Sequence, residues 1–503
     1  VNRQTERLLI VGWDGADYEY LLSLARQGVL PVLNRNMESG RVAPLLSTVP
    51  PISPAAWVSF GTGLTPGDHG VFSFYRRPLG ADTYRRRPIP SNYWSGQSIW
   101  KNMDRQGIPL VLLNVPMVFP PIHLRHGICV SGLGAPGDDP SCLAAPAWVG
   151  PELASVVPGY VPDVSTIQGT FHRADLVETA MKMVEARALA AHWLWDRVPW
   201  QVFFVVFTAP DRLEHELWKF HDPSHPGYLD PGWETYRETV PDLYRMLDTV
   251  LGDLLGRLRE NDTVLLLSDH GFGPLVKEFY VNRWLEENGW LSLLPGSPLE
   301  RGETSPNALV DSIDWSCTKV YSMGHLGELF LNVREREPAG IVAPGLEAEE
   351  ILREVADKLR ELVDENGETL CDWVRFGTDL FPGCRQEESP DMVFAMRDYR
   401  IKGYMTGRGF EFQERSSPLV SPVVPAGRSG EHREKGIAMA RGPWQAKLVP
   451  GSQRIWELGQ SVAACYGIEP QKKKSVSREQ ASVYTSEEEA IIRERLRRLG
   501  YLE

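Results

Sequence analysis

The chain has 503 residues, with 42% hydrophobic and 24% charged side chains, so wholesale disorder, collagen-like repeats and coiled coil are excluded. Lys plus Arg total 53 against 66 Asp plus Glu, a formal net charge of −13, which makes a poor general binder of duplex nucleic acid. It leaves small phosphorylated substrates open, because a bound metal reverses the local field whatever the global charge.

The chain opens VNRQTERLLIVGWDG, without a signal-peptide pattern, and its apolar runs are strand-sized, so no membrane span is expected. Six scattered cysteines with no CxxC pair suit free thiols in a reducing, cytoplasmic setting. The first strand is Leu8 to Gly12, ending at Asp14 in VGWDGAD. A carboxylate there points into a crevice or caps a turn, and Gly15 permits close backbone approach.

Next comes STVPPISPAAWVSFGTGLTPGDHG. Ser53 opens a helix with Pro54 at the first position, where amide N–H groups and the helix dipole favour an anion. Ser53 reads equally as an N-cap and as a nucleophile. The triplet Asp68-His69-Gly70 follows no apolar strand, so His69 reads as a structural turn residue. Downstream lie Arg76, Arg77, Arg85, Arg86 and Arg87. Arg76 and Arg77 are candidates for a phosphate oxygen, against the alternative of a solvated basic loop.

A helix is expected through Leu176, Ala180, Met183, Ala186 and Ala190, and then the strand Val202 to Phe207. Asp211 and His215 follow in TAPDRLEHELW, four apart and therefore on one helix face, a half-site for a metal. A helix through Leu243, Leu247, Val250, Leu251 and Leu254 leads to the strand Val264 to Leu267 and to Asp269-His270 in SDHGFGP. Two adjacent ligands reach one ion only where the chain bends, and Gly271 and Gly273 are expected to permit that bend.

From about Leu294 to Val420 the pattern changes. A Pro/Gly/Ser-rich stretch, a strand in GELFLNV, a helix around Ile351 to Leu362, a strand in DMVFAM and the Gly-rich IKGYMTGRGFEFQERSSP predict an inserted lobe. His432 then precedes GIAMARGP, where the core resumes. QKKKSVSREQ reads as a solvated linker before a terminal helix capped by Thr485 or Ser486. The expected organisation is a catalytic core over 1–293, a lobe over 294–420, a second core segment over 421–468, and a linker with a C-terminal helix over 469–503. Strands alternating with helices predict a doubly wound α/β sheet with its chemistry at the carboxyl ends of strands.

In this order, Asp14, Ser53, Asp211 with His215, Asp269 with His270, and His432 resemble the alkaline phosphatase superfamily. They are most similar to its type I phosphodiesterase/nucleotide pyrophosphatase branch, where the nucleophile stands ten residues before the glycine of a T-G motif, as Ser53 does before Gly63. The resemblance implies a three-layer α/β/α sandwich around a mostly parallel sheet. It also implies two divalent ions, usually zinc, with manganese or iron as alternatives. Asp211, His215 and His432 would hold one ion, and Asp14, Asp269 and His270 the other, beside Ser53. The implied activity is hydrolysis of a phosphodiester through a phosphoseryl intermediate.

Where nucleotide pyrophosphatases carry a phosphate-contacting asparagine, this chain has GVFSFYRRP, with Phe72, Phe74 and Tyr75. That departure speaks against nucleotide specificity. A phosphomonoesterase, a phosphonate hydrolase, a phosphoglycerate mutase-like phosphotransferase and an inactive binding protein stay open as alternatives. A sulfatase fits poorly, because Ser53 is followed by Pro54, Ala55, Ala56 and Trp57 rather than x-P-x-R.

Overall fold

The computed structural model describes residues 6–80, 83–137, 139–164, 172–301, 307–324, 326–364, 366–404, 420–422, 428–469 and 484–498. Leu8–Trp13, Val202–Phe207 and Thr263–Leu267 are apolar at every position and buried on both faces. That is how strands read in a parallel sheet covered by helices. Leu8–Trp13 pairs in parallel with each of the other two. Across the nine-stranded sheet the order is Gln453–Arg454, Arg41–Leu46, Lys435–Arg441, Thr263–Leu267, Leu8–Trp13, Val202–Phe207, Leu110–Val115, Gly127–Ser131 and Ala144–Ala145. Lys435–Arg441 runs antiparallel to both its neighbours.

Alternation along each strand divides the core. Leu8, Ile10, Phe204, Val206, Leu265 and Leu267 face one side, with the helices Ser53–Thr62, Ile99–Arg105 and Ile455–Cys465. Leu9, Val11, Trp13, Phe203, Val205, Phe207, Val264 and Leu266 face the other, under Tyr18–Arg26, Arg173–Trp195, Ala209–His221 and Thr239–Leu255. The three-layer expectation is met.

A second sheet gathers Val320–Ser322, Glu328–Leu331, Cys371–Phe376, Met392–Met396, Ile401–Tyr404, Lys277–Tyr280 and Val420–Pro422. The strands expected in GELFLNV and DMVFAM and the helix at Leu346–Arg360 all belong to it and its core. Lys277–Tyr280 and the following Val281–Glu287 helix join this unit from upstream of Leu294. Most of the Gly-rich stretch, from 405 to 418, and the lysine-bearing 471–480 segment lie outside the described residues.

The terminal helix Ser486–Arg498 is capped by Thr485. The Thr485 hydroxyl accepts from Glu488 N, and Glu488 Oε2 accepts from Thr485 N, a capping box. The helix packs on its own core. Ile492 and Leu496 are buried, and Tyr484 stacks on Phe119 at 5.8 Å.

The Ser53–Thr62 and Ile455–Cys465 helices meet at a glycine. A Cβ on Gly459 would run into the Phe60 carbonyl oxygen. Overpacking of this kind costs about 1–3 kcal/mol. Gly459→Ala is therefore expected to lower the thermal unfolding midpoint and to disturb the helix that carries Ser53. Calorimetry of the variant checks this, and an unchanged midpoint would show that the two helices separate at no cost.

Candidate active site

Three adjacent parallel strands deliver three carboxylates. Asp14 directly follows Leu8–Trp13, Asp269 lies just beyond Thr263–Leu267, and Asp211 sits in the first turn of the helix after Val202–Phe207. All three are fully buried. The backbone ties them together. Asp14 N donates to Phe207 O (3.0 Å) and Asp211 N donates to Asp14 O (3.2 Å). Gly15 N donates to Asp269 Oδ1 (3.1 Å). Gly15 has φ +80°, and a Cβ there would lie 3.2 Å from Asp211 Cα, so a side chain is both strained and obstructed.

His432 arrives on the strand Gly430–Arg433, which pairs antiparallel with Gly271–Pro274 and sets His432 opposite Phe272. Gly271 and Gly273 have no positive φ. Their role differs from the expected bend. They sit in this ribbon, where a Cβ on Gly271 would strike the Lys435 carbonyl oxygen and one on Gly273 the Arg433 guanidinium. The glycines are needed for close approach.

The imidazoles are orientated by backbone carbonyls. His215 Nδ1 lies 2.9 Å from Gly430 O, His432 Nδ1 2.8 Å from Pro51 O and His270 Nδ1 3.0 Å from Gly271 O. A carbonyl only accepts, so each Nδ1 carries the hydrogen and each Nε2 presents a lone pair. His432 Nε2 then stands 3.0 Å from His215 Nε2 and 3.0 Å from Asp211 Oδ1. His270 Nε2 stands 3.3 Å from Asp269 Oδ2 and 3.1 Å from Ser53 Oγ.

Asp211 Oδ1, His215 Nε2 and His432 Nε2 converge as electron-pair donors with no proton between them, which fits a cation. Asp211, His215 and His432 form one group with ligand atoms within 4.8 Å of one another, and Asp14, Asp211 and His270 form another. Asp14 Oδ1 is buried without a hydrogen-bond donor, while Asp14 Oδ2 accepts from Trp57 Nε1 (2.8 Å). Burial, and then the charges of Asp269 and Asp211, raise the Asp14 carboxyl well above its ordinary range. Burial likewise pushes Asp269 up to about 7. Burial lowers all three imidazoles, His215 to about 3, which keeps them neutral and ready to ligate.

Ser53 is the first residue of Ser53–Thr62, with Ile52 as its N-cap and Pro54 in the first turn. Ile52 rather than Ser53 occupies the N-cap position, so the N-cap expectation fails. The buried hydroxyl is directed at His270 instead. The same helix brings Trp57 to Asp14.

Arg77 is committed elsewhere. It is buried, 3.3 Å from Glu337 Oε1, and donates to Glu387 O (2.7 Å), so it joins the core to the second sheet's unit. Arg76 lies over the Tyr93 ring at 5.8 Å, on the short strand Tyr75–Arg76. Phe72 packs edge-on against Phe381, and Phe74 and Tyr75 are in the core. His69 is structural, as its context predicted. It accepts from Val71 N at Nδ1 (3.0 Å) and faces Ser59 Oγ at Nε2 (2.9 Å).

Sequence reasoning passed over three supports of the site. Trp57 holds Asp14, Arg212 bonds Asp211, and Lys402 pairs with Glu431 at 2.7 Å beside His432. Only Arg212 had a signal, being next to Asp211 in the chain.

Raised carboxyls have a measurable consequence. In metal-free protein Asp269 keeps a proton up to about pH 7, whereas an unfolded aspartate loses it near pH 3.9. Folding stability from that proton is complete below the unfolded value and is lost as pH rises through the folded one. A bound cation replaces the proton. The gap in unfolding midpoint between metal-loaded and chelated protein is therefore expected to widen from pH 5.5 to pH 8. A gap independent of pH would contradict it.

Comparison with known proteins bears on the fold and the family. No curated protein matches the chain. Phosphonoacetate hydrolase from Sinorhizobium meliloti 1021, solved with phosphonoformate, superposes with a TM-score of 0.57 at 16% identity, covering 92% of this chain and 96% of that one. Murine ectonucleotide pyrophosphatase/phosphodiesterase 5, solved in an inactive form with AMP, superposes at 0.51 with 14% identity, covering 93% and 96%. Both share the fold. Residues 8–398 match the type I phosphodiesterase / nucleotide pyrophosphatase family, to which this chain belongs as a metal-dependent phosphoester hydrolase of alkaline phosphatase-like fold.

Proposed function

We propose that the chain is a two-metal phosphodiesterase in which Ser53 is the nucleophile and a phosphoseryl intermediate forms. The observation that carries this reading is the Ser53 hydroxyl itself. It is buried at the first residue of a helix, 3.1 Å from the His270 imidazole.

Asp211, His215 and His432 would hold one ion, and Asp14, Asp269 and His270 the other. Mixed nitrogen and oxygen donors favour zinc, and manganese or iron accept similar sets. Divalent ions at these positions supply charge stabilisation to phosphoryl oxygens and lower the pKa of bound hydroxyls.

The chain's own residues do the rest. The N-terminus of Ser53–Thr62 places positive dipole at the reacting oxygens. Ser53 Oγ attacks phosphorus as its proton passes to solvent water, and the bond to the departing oxygen breaks on the opposite side, that oxygen taking up a proton from solvent to leave as the alcohol. Water then adds to phosphorus, the Oγ–P bond breaks, and the serine hydroxyl is restored. Trp57 fixes the Asp14 carboxylate, and the carbonyls of Pro51, Gly430 and Gly271 fix the imidazole faces.

The substrate is a small phosphodiester. The aromatic stretch from Phe72 to Tyr75 packs against the core and Phe381, which supports a leaving group other than a nucleotide. None of the described helices is long and apolar enough to cross a membrane. The six cysteines are free, which supports a reducing, cytoplasmic setting.

Ser53→Ala is expected to cut turnover of bis-p-nitrophenyl phosphate by at least about 10³-fold with metal content nearly intact. Near-normal turnover would remove Ser53 as nucleophile. On metal-replete protein the diester is expected to outrank p-nitrophenyl phosphate, p-nitrophenyl sulfate and phosphonoacetate. A different leader in that panel would replace the diester reading.

A further inference from the structure

Asp211 has two carboxylate oxygens in different surroundings. Oδ1 faces the site, 3.0 Å from His432 Nε2 and 3.4 Å from His215 Nε2. Oδ2 faces away and accepts from Arg212 Nη1 at 2.5 Å. Arg212 is the next residue along the same helix. Neighbouring side chains on a helix ordinarily diverge by about 100°, so this contact needs a reason for the guanidinium to turn back.

Asp163 supplies that reason. Arg212 Nε lies 3.1 Å from both Asp163 oxygens, and Nη2 lies 2.8 Å from Oδ2, a bidentate pair. Both side chains are about 1% exposed, so water does not compete for them. Asp163 is itself fixed. Its Oδ1 accepts from Val164 N (2.8 Å), and Thr208 Oγ1 lies 3.4 Å away. The segment that carries it is tied down as well, because Arg187 Nη2 donates to Val161 O (3.1 Å) and Pro162 O (3.2 Å).

We infer that Arg212, clamped by Asp163, is a positioning residue that occupies Asp211 Oδ2 and so presents Asp211 to a metal ion through Oδ1 alone. The inference rests on the metal-site reading above. It goes beyond that reading by assigning a function to two residues that touch neither metal nor substrate. A buried ion pair that served only packing would need Arg212 to satisfy Asp163 and nothing more. Here the third guanidinium nitrogen is directed at a ligand carboxylate on the side away from the imidazoles. A carboxylate freed from that bond could swing or bind an ion through both oxygens, which changes the ligand field as well as the affinity.

The test uses the full chain with Co2+ as probe, read by its visible absorption, and Zn2+ affinity by chelator competition. Arg212→Lys keeps the charge and loses the fork. Asp163→Asn keeps the shape and loosens the clamp, and it serves if the arginine variant fails to fold. Both are expected to bind Zn2+ about 10–100-fold more weakly and to shift the Co2+ bands. Combining them should add little to either alone. A lowered unfolding midpoint with unchanged Zn2+ affinity and unchanged Co2+ bands would leave the pair a structural role only and overturn the inference. Failure of the wild-type chain itself to take up either ion would overturn the metal-site reading, and this inference with it.

Discussion

Three carboxylates held without water at the ends of three adjacent strands are the constraint to which the rest of this molecule answers. Asp14, Asp211 and Asp269 are fully buried, and the charges of Asp269 and Asp211 both act on Asp14. Buried like charges repel strongly, and an unpaired buried charge costs several kcal/mol. The fold does not relieve this by separating them, because parallel strands bring their carboxyl ends to one edge. It relieves it by surrounding them with neutral imidazoles, the Trp57 indole N–H, the Gly15 N–H, the Ser53 hydroxyl and Arg212. That set has room for a cation and little use without one.

The insertion is arranged around the same point. The chain leaves the core along Gly271–Pro274 and returns along Gly430–Arg433, and these two strands pair with each other. A long insertion whose ends meet costs little in loop entropy. The return strand carries His432, so closing the insertion also brings His432 to Asp211 and His215. Lys402, from the second sheet, reaches back to Glu431 next to His432. Arg77 from the core reaches forward to Glu337. The second unit is thus fastened to the core both at the ligand strand and close behind the helix that bears Ser53.

Much of this was legible in the sequence because it is local. An apolar run ending in aspartate states both the strand and the carboxylate. Asp-x-x-x-His states a helix face, and a serine before proline states a helix start. What was illegible depends on partners distant in the chain. Arg77 sits in a run of arginines that reads as solvated, and Glu337, which buries it, lies beyond a whole sheet's worth of sequence. Gly271 and Gly273 look like hinge residues until the strand that crowds them is placed. Arg212 adjoins Asp211, yet nothing near it in sequence says that Asp163, in an irregular segment, turns it back. Ser53 read both as a cap and as a nucleophile, and the helix start one residue earlier, with Ile52 at the N-cap, removes the first of those readings.

Charge pairing explains how an acidic chain can receive an acidic substrate. Among the described residues, Asp163 and Asp211 share the single charge of Arg212, and Lys402 cancels Glu431. One negative charge survives from the first set, and Asp14 and Asp269 add theirs, with no arginine or lysine bonded to either. These last two are the carboxyls that burial and neighbouring negative charge drive upward, which favours their protonated forms in the bare site. A single divalent ion displaces those protons without making the site positive. Under the proposed two-metal reading, two such ions would exceed the negative charge of these groups, and a phosphate oxygen would meet the surplus. The net −13 of the chain does not oppose this, since its solvent-exposed acids are screened by salt within about 10 Å.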